Sequence, residues 1–345
     1  MLFQGKDHRR DELLRRVGDI SQIAGVTAAE LIDGPEKGVT ALDVRAGALR
    51  FTVLPGRGMD IGYASYNGTP LSFISGTGFQ HASFYEPEGL GWLRGFYSGL
   101  LTTCGLTYAG APCTDGERTL GLHGRVSYTP ARNVSYGGRW DGDEYIITVQ
   151  GTMREVTLFG ENVALTRTIT ARAGAASFSI HDAVENLGFA DTEHMMLYHI
   201  NIGFPVVDAG TKLIAPIQKT TQRDAAAEKG MKEFDRFTGP VKGYQEQCFY
   251  HAMKAGNEGV TVSLVNAELN GGMGVFVKYD PKELPEFTEW KMTGEGAYVV
   301  GLEPGNCRVE GRAKERARGT LRSLTPGEKR DYHLEIGVCT AAVRQ

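Results

Sequence analysis

Short segments rich in β-branched and aromatic residues, separated by glycine-rich turns, fill most of this chain and constrain its fold more than any other feature. Examples are RVSYTPARNVSYGG, EYIITVQGTM and GVTVSLVNAELNGGMGVFVKYD. The 46 glycines suit the many tight turns and bulges of such a chain. In ALTRTITAR, the residues Leu165, Arg167 and Ile169 alternate with threonines, which is the period of a two-faced strand. The pattern predicts a mainly all-β protein built as a large antiparallel β-sandwich.

One helix is predicted near the N-terminus, in KDHRRDELLRRVGD, where Leu13, Leu14 and Val17 share a face among charged residues. No alternation of long helices with strands follows, which argues against a doubly wound α/β fold. The most polar stretch, QKTTQRDAAAEKGMKEFDRFTGP, is interpreted as a long excursion with one helical turn. We therefore predict an N-terminal helix and lead-in over residues 1–35 and a single β-sandwich domain over residues 36–345.

The composition excludes several classes of function. The chain has 345 residues, of which 41% are hydrophobic, so it can bury a full-sized core and is too hydrophobic for disorder. Its net charge is -4, and its lysines and arginines are scattered, so no nucleic-acid partner is expected. No apolar run approaches the roughly 18 residues of a membrane span, and no apolar segment of a signal peptide follows the N-terminus. We expect no membrane partner.

The number and spacing of the cysteines indicate the redox environment of the protein. There are five of them, an odd number, and no two stand in a C-x-x-C pattern that would bind a metal. Reduced thiols in a cytoplasmic protein are therefore the expectation.

Histidines in apolar surroundings are the first candidates for chemistry. His81, His123, His199 and His251 stand among aromatic, glycine or apolar residues. A buried imidazole must find partners for both ring nitrogens, so its presence needs a reason. For any one of the four, a structural role and a functional role both stay open at this point.

Three short segments place such residues in informative contexts. In MMLYHINIGFP, an extended strand would put His199 and Asn201 on one face. In GLHGR, His123 stands beside a glycine that lets the backbone approach a ligand closely. In YVVGLEPGN, an apolar strand ends in Glu303, a suitable position for a base; the alternative is an ion pair with Arg308 or Arg312.

Taken in order, LHG, HMMLYHINIGFP and GLEPGN resemble the aldose 1-epimerase (galactose mutarotase-like) superfamily. WLRGFYSGLLTTCGLTYAGAP and FTEWKMTGEGAYVVGLEPGNC are similar to motifs of a divergent bacterial subfamily described only as aldose epimerase-like. The resemblance runs from TALDV to the C-terminus. It implies a β-sandwich of the galactose mutarotase-like type and an isomerase that interconverts the anomers of a free aldose or a related sugar.

The resemblance also implies roles for individual residues. Glu303 would be the general base and His199 the general acid. Where the family has a Gly-Tyr-Asp motif, GYQEQCFYH has Gln245, with Glu246 next to it and His251 close by. A tryptophan would stack on an apolar sugar face. The predicted substrate-binding residues are His123, Arg94, Asn201, Gln245, Glu246, His251 and Trp290.

Mutarotation suits these residue types because one group must take a proton from the anomeric hydroxyl while another protonates the ring oxygen. A carboxylate and an imidazolium on opposite sides of the ring would suffice without a cofactor. Burial raises the pKa of a glutamate and a neighbouring imidazolium lowers it, so we expect the two effects to offset near neutral pH.

Two alternatives stay open. The same pocket could hold a divalent metal on His123, His199, His251 and Glu303, and isomerise or eliminate from a keto-sugar. The protein could also bind carbohydrate without turnover. In each case the predicted partner is a small-molecule carbohydrate, and the protein is a monomer or a homodimer.

Overall fold

The prediction of a mainly all-β sandwich is confirmed by the computed structural model, which describes residues 1–3 and 5–340. The first strands in chain order are β1 Leu2–Phe3, β2 Lys6–Asp7, β3 Ala24–Glu30, β4 Thr40–Ala46, β5 Leu49–Leu54, β6 Asp60–Tyr66, β7 Thr69–Pro70, β8 Phe73–Ile74, β9 Ser98–Gly99, β10 Leu101–Leu106, β11 Cys113–Asp115, β12 Arg118–Leu120 and β13 Arg132–Asp141. The remaining strands are β14 Glu144–Val156, β15 Asn162–Arg172, β16 Ser177–Asn186, β17 Thr192–Gly203, β18 Lys212–Ile214, β19 Ile217–Gln222, β20 Gln247–Met253, β21 Val260–Asn266, β22 Met273–Tyr279, β23 Glu286–Gly294, β24 Ala297–Gly305, β25 Arg322–Leu324 and β26 Lys329–Thr340. The α-helices are α1 Arg10–Leu14, α2 Ala225–Gly230 and α3 Arg312–Arg318.

Two antiparallel sheets form the sandwich. The large sheet has twelve strands, in the order β19-β20-β23-β24-β17-β10-β6-β5-β4-β3, with β25 beside β17 and β7 beside β6. The small sheet has eight, in the order β13-β14-β15-β16-β26-β22-β21-β18. The core lies between them: Phe51 of the large sheet stacks on Phe178 of the small sheet with ring centroids 4.3 Å apart. In the strand order of the large sheet, β17 lies near the middle.

The helices differ in part from the sequence prediction. The predicted N-terminal helix is short, α1, because Lys6–Asp7 pairs with Leu2–Phe3 as a hairpin instead. The polar excursion contains the predicted helical turn as α2, whose first N–H groups are capped by Asp224. None of the helices in residues 1–3 and 5–340 is long and apolar enough to cross a membrane.

Strand β3 lies within the predicted lead-in of residues 1–35, yet it pairs with β4 at the edge of the large sheet. The division at residue 35 stays a prediction. The last residues of the predicted sandwich domain, 341–345, lie outside the described residues. None of the five cysteines forms a disulfide within the part of the chain that the structure describes.

Candidate functional site

The register of four neighbouring strands brings the site together on the outer face of the large sheet. Because β17 pairs Ile200 with Leu302 of β24, His199 stands opposite Glu303. One row further along, Gly301 pairs with Trp290 of β23, which in turn pairs with Cys248 of β20. Side chains alternate along strands, so these positions share one face while Tyr198 and Ile200 point into the core. The prediction that His199 and Asn201 share a face is confirmed by the hydrogen bond between their side chains.

A cavity of about 370 Å³ lies over this face. Its floor is the large sheet, and its roof comes from the segments around residues 90–96, 111–112, 122–123 and 309. Of the residues predicted from the sequence, five line it: His123, His199, Glu246, Trp290 and Glu303. His123, His199 and Glu303, which are far apart in the chain, thus meet at one concave site.

Arg57 holds the roof in place. Its guanidinium is fully buried and donates to the backbone carbonyls of Gln80, Gly95 and Ser127, which belong to three separate loops. The same group lies 4.0 Å from the ring centroid of Tyr128. These bonds fix the loops that carry the cavity's aromatic residues.

The tautomer of His199 follows from its partner. The Asn201 amide donates from Nδ2 to the carbonyls of Ser98 and His199, so its Oδ1 is left to accept. That oxygen lies 2.5 Å from His199 Nδ1, which must therefore carry the proton. In the neutral imidazole, Nε2 then presents a lone pair to the cavity side. Asn201 thus fixes the orientation and the tautomer of the His199 ring.

Glu303 is the least satisfied polar group of the site. Its carboxyl is 1% exposed, and Oε1 lies 3.1 Å from His199 Nε2. The geometry does not meet that of a hydrogen bond, and no other donor in the described residues reaches this oxygen. Gly301 makes the space: a Cβ there would lie 2.6 Å from Oε1.

Burial governs the protonation of this pair. It raises the pKa of Glu303 well above its usual range, and it lowers the pKa of His199 to about 4. The expectation that burial and mutual charge would offset is thus wrong, because the loss of hydration outweighs the attraction here. Both shifts favour an uncharged pair, with the proton on the carboxyl and none on Nε2.

His123 adds a third uncharged group. It lies in the left-handed region, with φ 57°, and its ring packs 4.9 Å from the Trp92 ring and 5.8 Å from the His199 ring. Burial, then the neighbouring His199, lowers its pKa to about 3. Its Nδ1 has no hydrogen-bond partner among the residues described. A ligand can therefore satisfy it.

Sequence reasoning missed two ionisable residues of the cavity, Arg223 and Cys248. Arg223 donates to Glu246 at 2.9 Å and to Asp224 at 2.7 Å, and its Nη1 lies 2.9 Å from the Cys248 sulfur. The other oxygen of Glu246 accepts from Trp290 Nε1 at 2.9 Å. The signal for Arg223 was the polarity of the excursion, but its place at the site depends on the pairing of β19 with β20.

Four predicted substrate-binding residues do not line the cavity, and these predictions are corrected. Asn201 is fully buried and bonds His199 and the Ser98 carbonyl instead. The Arg94 side chain is 75% exposed and pairs with Glu86, because its 3-10 helix (Gly91–Gly95) turns Trp92 inward and Arg94 outward. Gln245 is exposed on the loop before β20.

His251 is the fourth. It lies on the opposite face of β20 from Cys248, where Glu289 Oε2 contacts Nε2 at 3.0 Å and Thr220 contacts Nδ1 at 3.0 Å. The conditional metal set of His123, His199, His251 and Glu303 is therefore not assembled. Across residues 1–3 and 5–340, no group of three or more His, Cys, Asp or Glu side chains is placed to hold a metal ion.

Arg57, Arg308 and Arg312 lie outside the cavity and have other partners. Arg57 binds loop carbonyls, Arg308 pairs with Glu286 at 2.9 Å, and Arg312 pairs with Asp115 at 2.6 Å. Glu303 therefore has neither of its two suggested ion-pair partners. A larger cavity, of about 690 Å³, lies elsewhere and contains none of the predicted site residues.

This sandwich, with a histidine and a glutamate on the outer face of its large sheet, belongs to the galactose mutarotase-like class of folds. A protein proposed to be an aldose 1-epimerase, from Klebsiella pneumoniae, is similar with a TM-score of 0.88 and 26% identity, over 97% of this chain and 88% of that one. The chain belongs to the DUF4432 family, a domain of unknown function, whose model matches residues 36–338. The predicted resemblance to the superfamily is confirmed.

More distant structures share the fold alone. A galactose mutarotase-like protein from Clostridium acetobutylicum has a TM-score of 0.63 and 12% identity, over 92% of this chain and 99% of that one. A protein from Escherichia coli K12, proposed to be an aldose 1-epimerase, has a TM-score of 0.56 and 11% identity, over 88% and 100%. No curated protein sequence matches the chain.

Proposed function

We propose that this protein is a carbohydrate isomerase of the aldose 1-epimerase type, which interconverts the anomers of an uncharged aldose or related sugar. One observation carries the proposal: the buried carboxyl of Glu303 has an unpartnered oxygen at the floor of a cavity, 3.1 Å from His199 Nε2 but not in hydrogen-bond geometry with it. A fold that buries such a group without a partner loses stability, so a ligand is the natural partner.

The contact between the two groups changes the geometry expected from the sequence. At 3.1 Å, no sugar ring fits between Glu303 and His199, so they act from one side rather than from opposite sides. This suits the reaction, because the anomeric hydroxyl oxygen and the ring oxygen are bonded to the same carbon. A neighbouring acid and base can reach both oxygens together.

Ring opening then conserves the charge of the complex. His199 Nε2 takes the proton of the anomeric hydroxyl, while the Glu303 carboxyl gives its proton to the ring oxygen. The bond between the anomeric carbon and the ring oxygen breaks, and the carbonyl forms. After rotation about the bond to the next carbon, the imidazolium returns a proton to the carbonyl oxygen, and the carboxylate takes one from the hydroxyl that closes the ring. Each such group contributes on the order of 10²–10⁴-fold in rate.

The uncharged resting pair supports this order of events. With the pKa of Glu303 raised and that of His199 lowered, the first donor is the carboxylic acid and the first acceptor is the imidazole. The roles first assigned from the resemblance are thereby exchanged in the opening step and restored in the closing step. Proton transfer turns Glu303 and His199 into a transient ion pair inside the cavity, where Arg223 and Glu246 already neutralise each other.

Anomer exchange by NMR tests the proposal across a panel of free aldoses. We expect the wild-type protein to accelerate exchange for at least one sugar, and Glu303→Gln to lose about 10²-fold or more of that acceleration. Glu258→Gln, which removes an exposed carboxyl outside the cavity, is the matched control and should keep full activity. No acceleration for any sugar, or full activity in Glu303→Gln, would refute the proposal.

A further inference from the structure

The polar side chains that line the cavity lie in two groups. The first contains His123, His199 and Glu303: the two histidine rings lie 5.8 Å apart, and Glu303 Oε1 lies 3.1 Å from His199 Nε2. The second contains Arg223, which directly follows β19, and Glu246, which directly precedes β20. A sugar whose anomeric carbon lies at the first group therefore has the second group left for its more distant hydroxyls.

The rest of the lining offers little to a hydroxyl group. The apolar members are Leu90, Leu93, Phe96, Ala111, Pro112, Leu122 and Val309. Trp92 Nε1 already donates to the Ser127 hydroxyl at 3.1 Å, and Trp290 Nε1 donates to Glu246 at 2.9 Å. The thiol of Cys248 is only a weak hydrogen-bonding group. Among the described side chains that line the cavity away from Glu303, Arg223 and Glu246 are thus the strong partners for a sugar hydroxyl.

Trp290 connects the two groups. Its strand, β23, lies between β24, which carries Glu303, and β20. Its ring centroid lies 5.1 Å from that of His199, while its Nε1 contacts Glu246. Neighbouring strands lie about 4.8 Å apart, and one sugar ring with a hydrogen bond at each end spans two such spacings. A pyranose ring that lies over Trp290, with its anomeric carbon at Glu303, therefore extends toward Glu246.

Arg223 is held in place and has donors to spare. Its Nε donates to Asp224 at 2.7 Å, its Nη2 to Glu246 at 2.9 Å, and its Nη1 lies 2.9 Å from the Cys248 sulfur. A guanidinium has five N–H groups, so two stay available to a ligand. The side chain is 24% exposed, and Cys248, which its Nη1 contacts, is buried in the floor. Because two carboxylates offset its charge, Arg223 is a fixed donor suited to uncharged hydroxyls.

We propose that Arg223, together with Glu246, binds the hydroxyls on C3 and C4 of the sugar, and that the substrate carries both of them free. This rests on the proposed function, which places the bond between C1 and the ring oxygen at Glu303 and His199. In a pyranose ring the opposite bond joins C3 and C4, so their hydroxyls lie farthest from the reacting pair. Arg223 donates to one of them and Glu246 accepts from the other. Arg223 thereby determines specificity, a role that the resemblance to the superfamily did not imply.

Deoxy sugars test the proposal through binding, independently of turnover. D-Glucose, D-galactose and D-mannose are each compared with their 3-deoxy, 4-deoxy and 6-deoxy analogues. Tryptophan fluorescence reports binding, because Trp92 and Trp290 line the cavity. For a parent sugar that binds, we expect removal of the 3- or the 4-hydroxyl to weaken binding about tenfold, since each loses a hydrogen bond to a charged group that water partly reaches.

A variant ties this effect to the arginine. Arg223→Met removes the donors and keeps a long side chain; we expect it to weaken binding of the parent sugar about tenfold. It should also reduce the effect of removing at least one of the two hydroxyls to below threefold, and leave the effect of removing the 6-hydroxyl unchanged. Arg236→Met, at an exposed arginine of the same excursion outside the cavity, is the matched control and should bind like the wild type. Urea unfolding verifies that both variants are folded.

Three results would overturn the proposal: equal binding of the parent, 3-deoxy and 4-deoxy sugars, equal effects of hydroxyl removal in Arg223→Met and in the wild type, or no binding by any parent sugar. Anomer exchange accelerated equally for the parent, 3-deoxy and 4-deoxy sugars, with equal binding, would overturn it and leave the isomerase standing. The expected binding effects with no accelerated exchange would support the role of Arg223 and refute the isomerase.

Discussion

Two clusters of buried polar side chains lie on opposite faces of the large sheet, one around Arg167 on the core face and one around Glu303 at the cavity, and they differ in how fully their polar atoms are paired. On the core face, Arg167 of the small sheet donates to Asp182 of the same sheet at 2.7 and 2.9 Å. Arg167 also donates to Asp60 of the large sheet at 3.1 Å and to the Thr103 hydroxyl at 2.9 Å, and Tyr198 donates to Asp182 at 2.7 Å. On the outer face, Glu303 and His123 each keep an atom without a partner within the described part of the chain.

Two histidines of β17 show the contrast within one strand. His194, on the core face, contacts the Leu106 carbonyl at 3.0 Å and the Tyr332 hydroxyl at 2.6 Å, so both of its nitrogens are satisfied. His199, five residues on, uses one nitrogen on Asn201 and turns the other to the cavity. A satisfied buried network stabilises a fold, whereas an unsatisfied one at a cavity is available to a ligand.

The largest expected effect is on stability, from Arg167→Met. This change leaves Asp60 and Asp182 buried without their cation, and we expect a loss of about 3–5 kcal/mol in the free energy of unfolding. Urea unfolding at neutral pH measures it. A loss below about 1 kcal/mol would mean that the core-face network does not stabilise the sandwich.

The pH dependence of stability tests His194. Burial lowers its pKa to about 4, while the unfolded chain takes up a proton near its ordinary pKa of about 6.5. Between these values the unfolded state binds more protons, so stability falls as the pH falls from 6.5 to 4. We expect the wild type to lose about 3 kcal/mol more over this range than His194→Gln, as measured by urea unfolding at each pH. Parallel curves would contradict the assignment.

On the outer face, Asn201→Ala removes the acceptor that sets the tautomer of His199. We expect anomer exchange to slow by about 10- to 100-fold through kcat, with KM little changed, because the sugar does not depend on Asn201 for binding. Asn201→Asp keeps an acceptor oxygen and should retain more activity. A rise in KM alone, or equal activities in the two variants, would contradict a positioning role.

Gly301→Ala tests the space around Glu303. The added Cβ would lie 2.6 Å from Oε1 and 3.1 Å from the Cβ of Trp290, so the carboxyl must move. We expect about a tenfold loss of rate, since small displacements of a reacting group reduce catalysis. Gly137→Ala, at a strand glycine with no neighbour within 4 Å, is the matched control. Full activity in Gly301→Ala would show that the carboxyl's position is not critical.

Much of the fold and part of the site could be predicted because strands leave a local pattern. Alternation in ALTRTITAR grouped Arg167 with Leu165 and Ile169, which are all buried, and alternation in LYHINIG put His199 on the same face as Asn201. Glu303 lies in a strand, as its apolar run indicated, but the strand continues past it to Gly305.

The remaining site residues depend on pairings between strands distant in sequence. Arg223 reaches the cavity only because β19 pairs with β20 at the edge of the sheet. His251 does not reach it, because side chains alternate along β20 and His251 lies on the face opposite Cys248. Arg94 misses it through the turn of a 3-10 helix. Glu303 contacts His199, whereas the two were expected on opposite sides of the sugar ring. Strand register and the space at Gly301 set this contact.

Two isosteric changes, one on each face, test the central contrast most directly: urea unfolding of Asp182→Asn and of Glu303→Gln at pH 7. The core-face variant should lose about 3 kcal/mol or more, because an amide cannot replace a carboxylate between Arg167 and Tyr198. The cavity variant should match or exceed the wild type, because burial raises the pKa of Glu303 and a neutral amide avoids that penalty. Similar losses in the two variants would contradict the account.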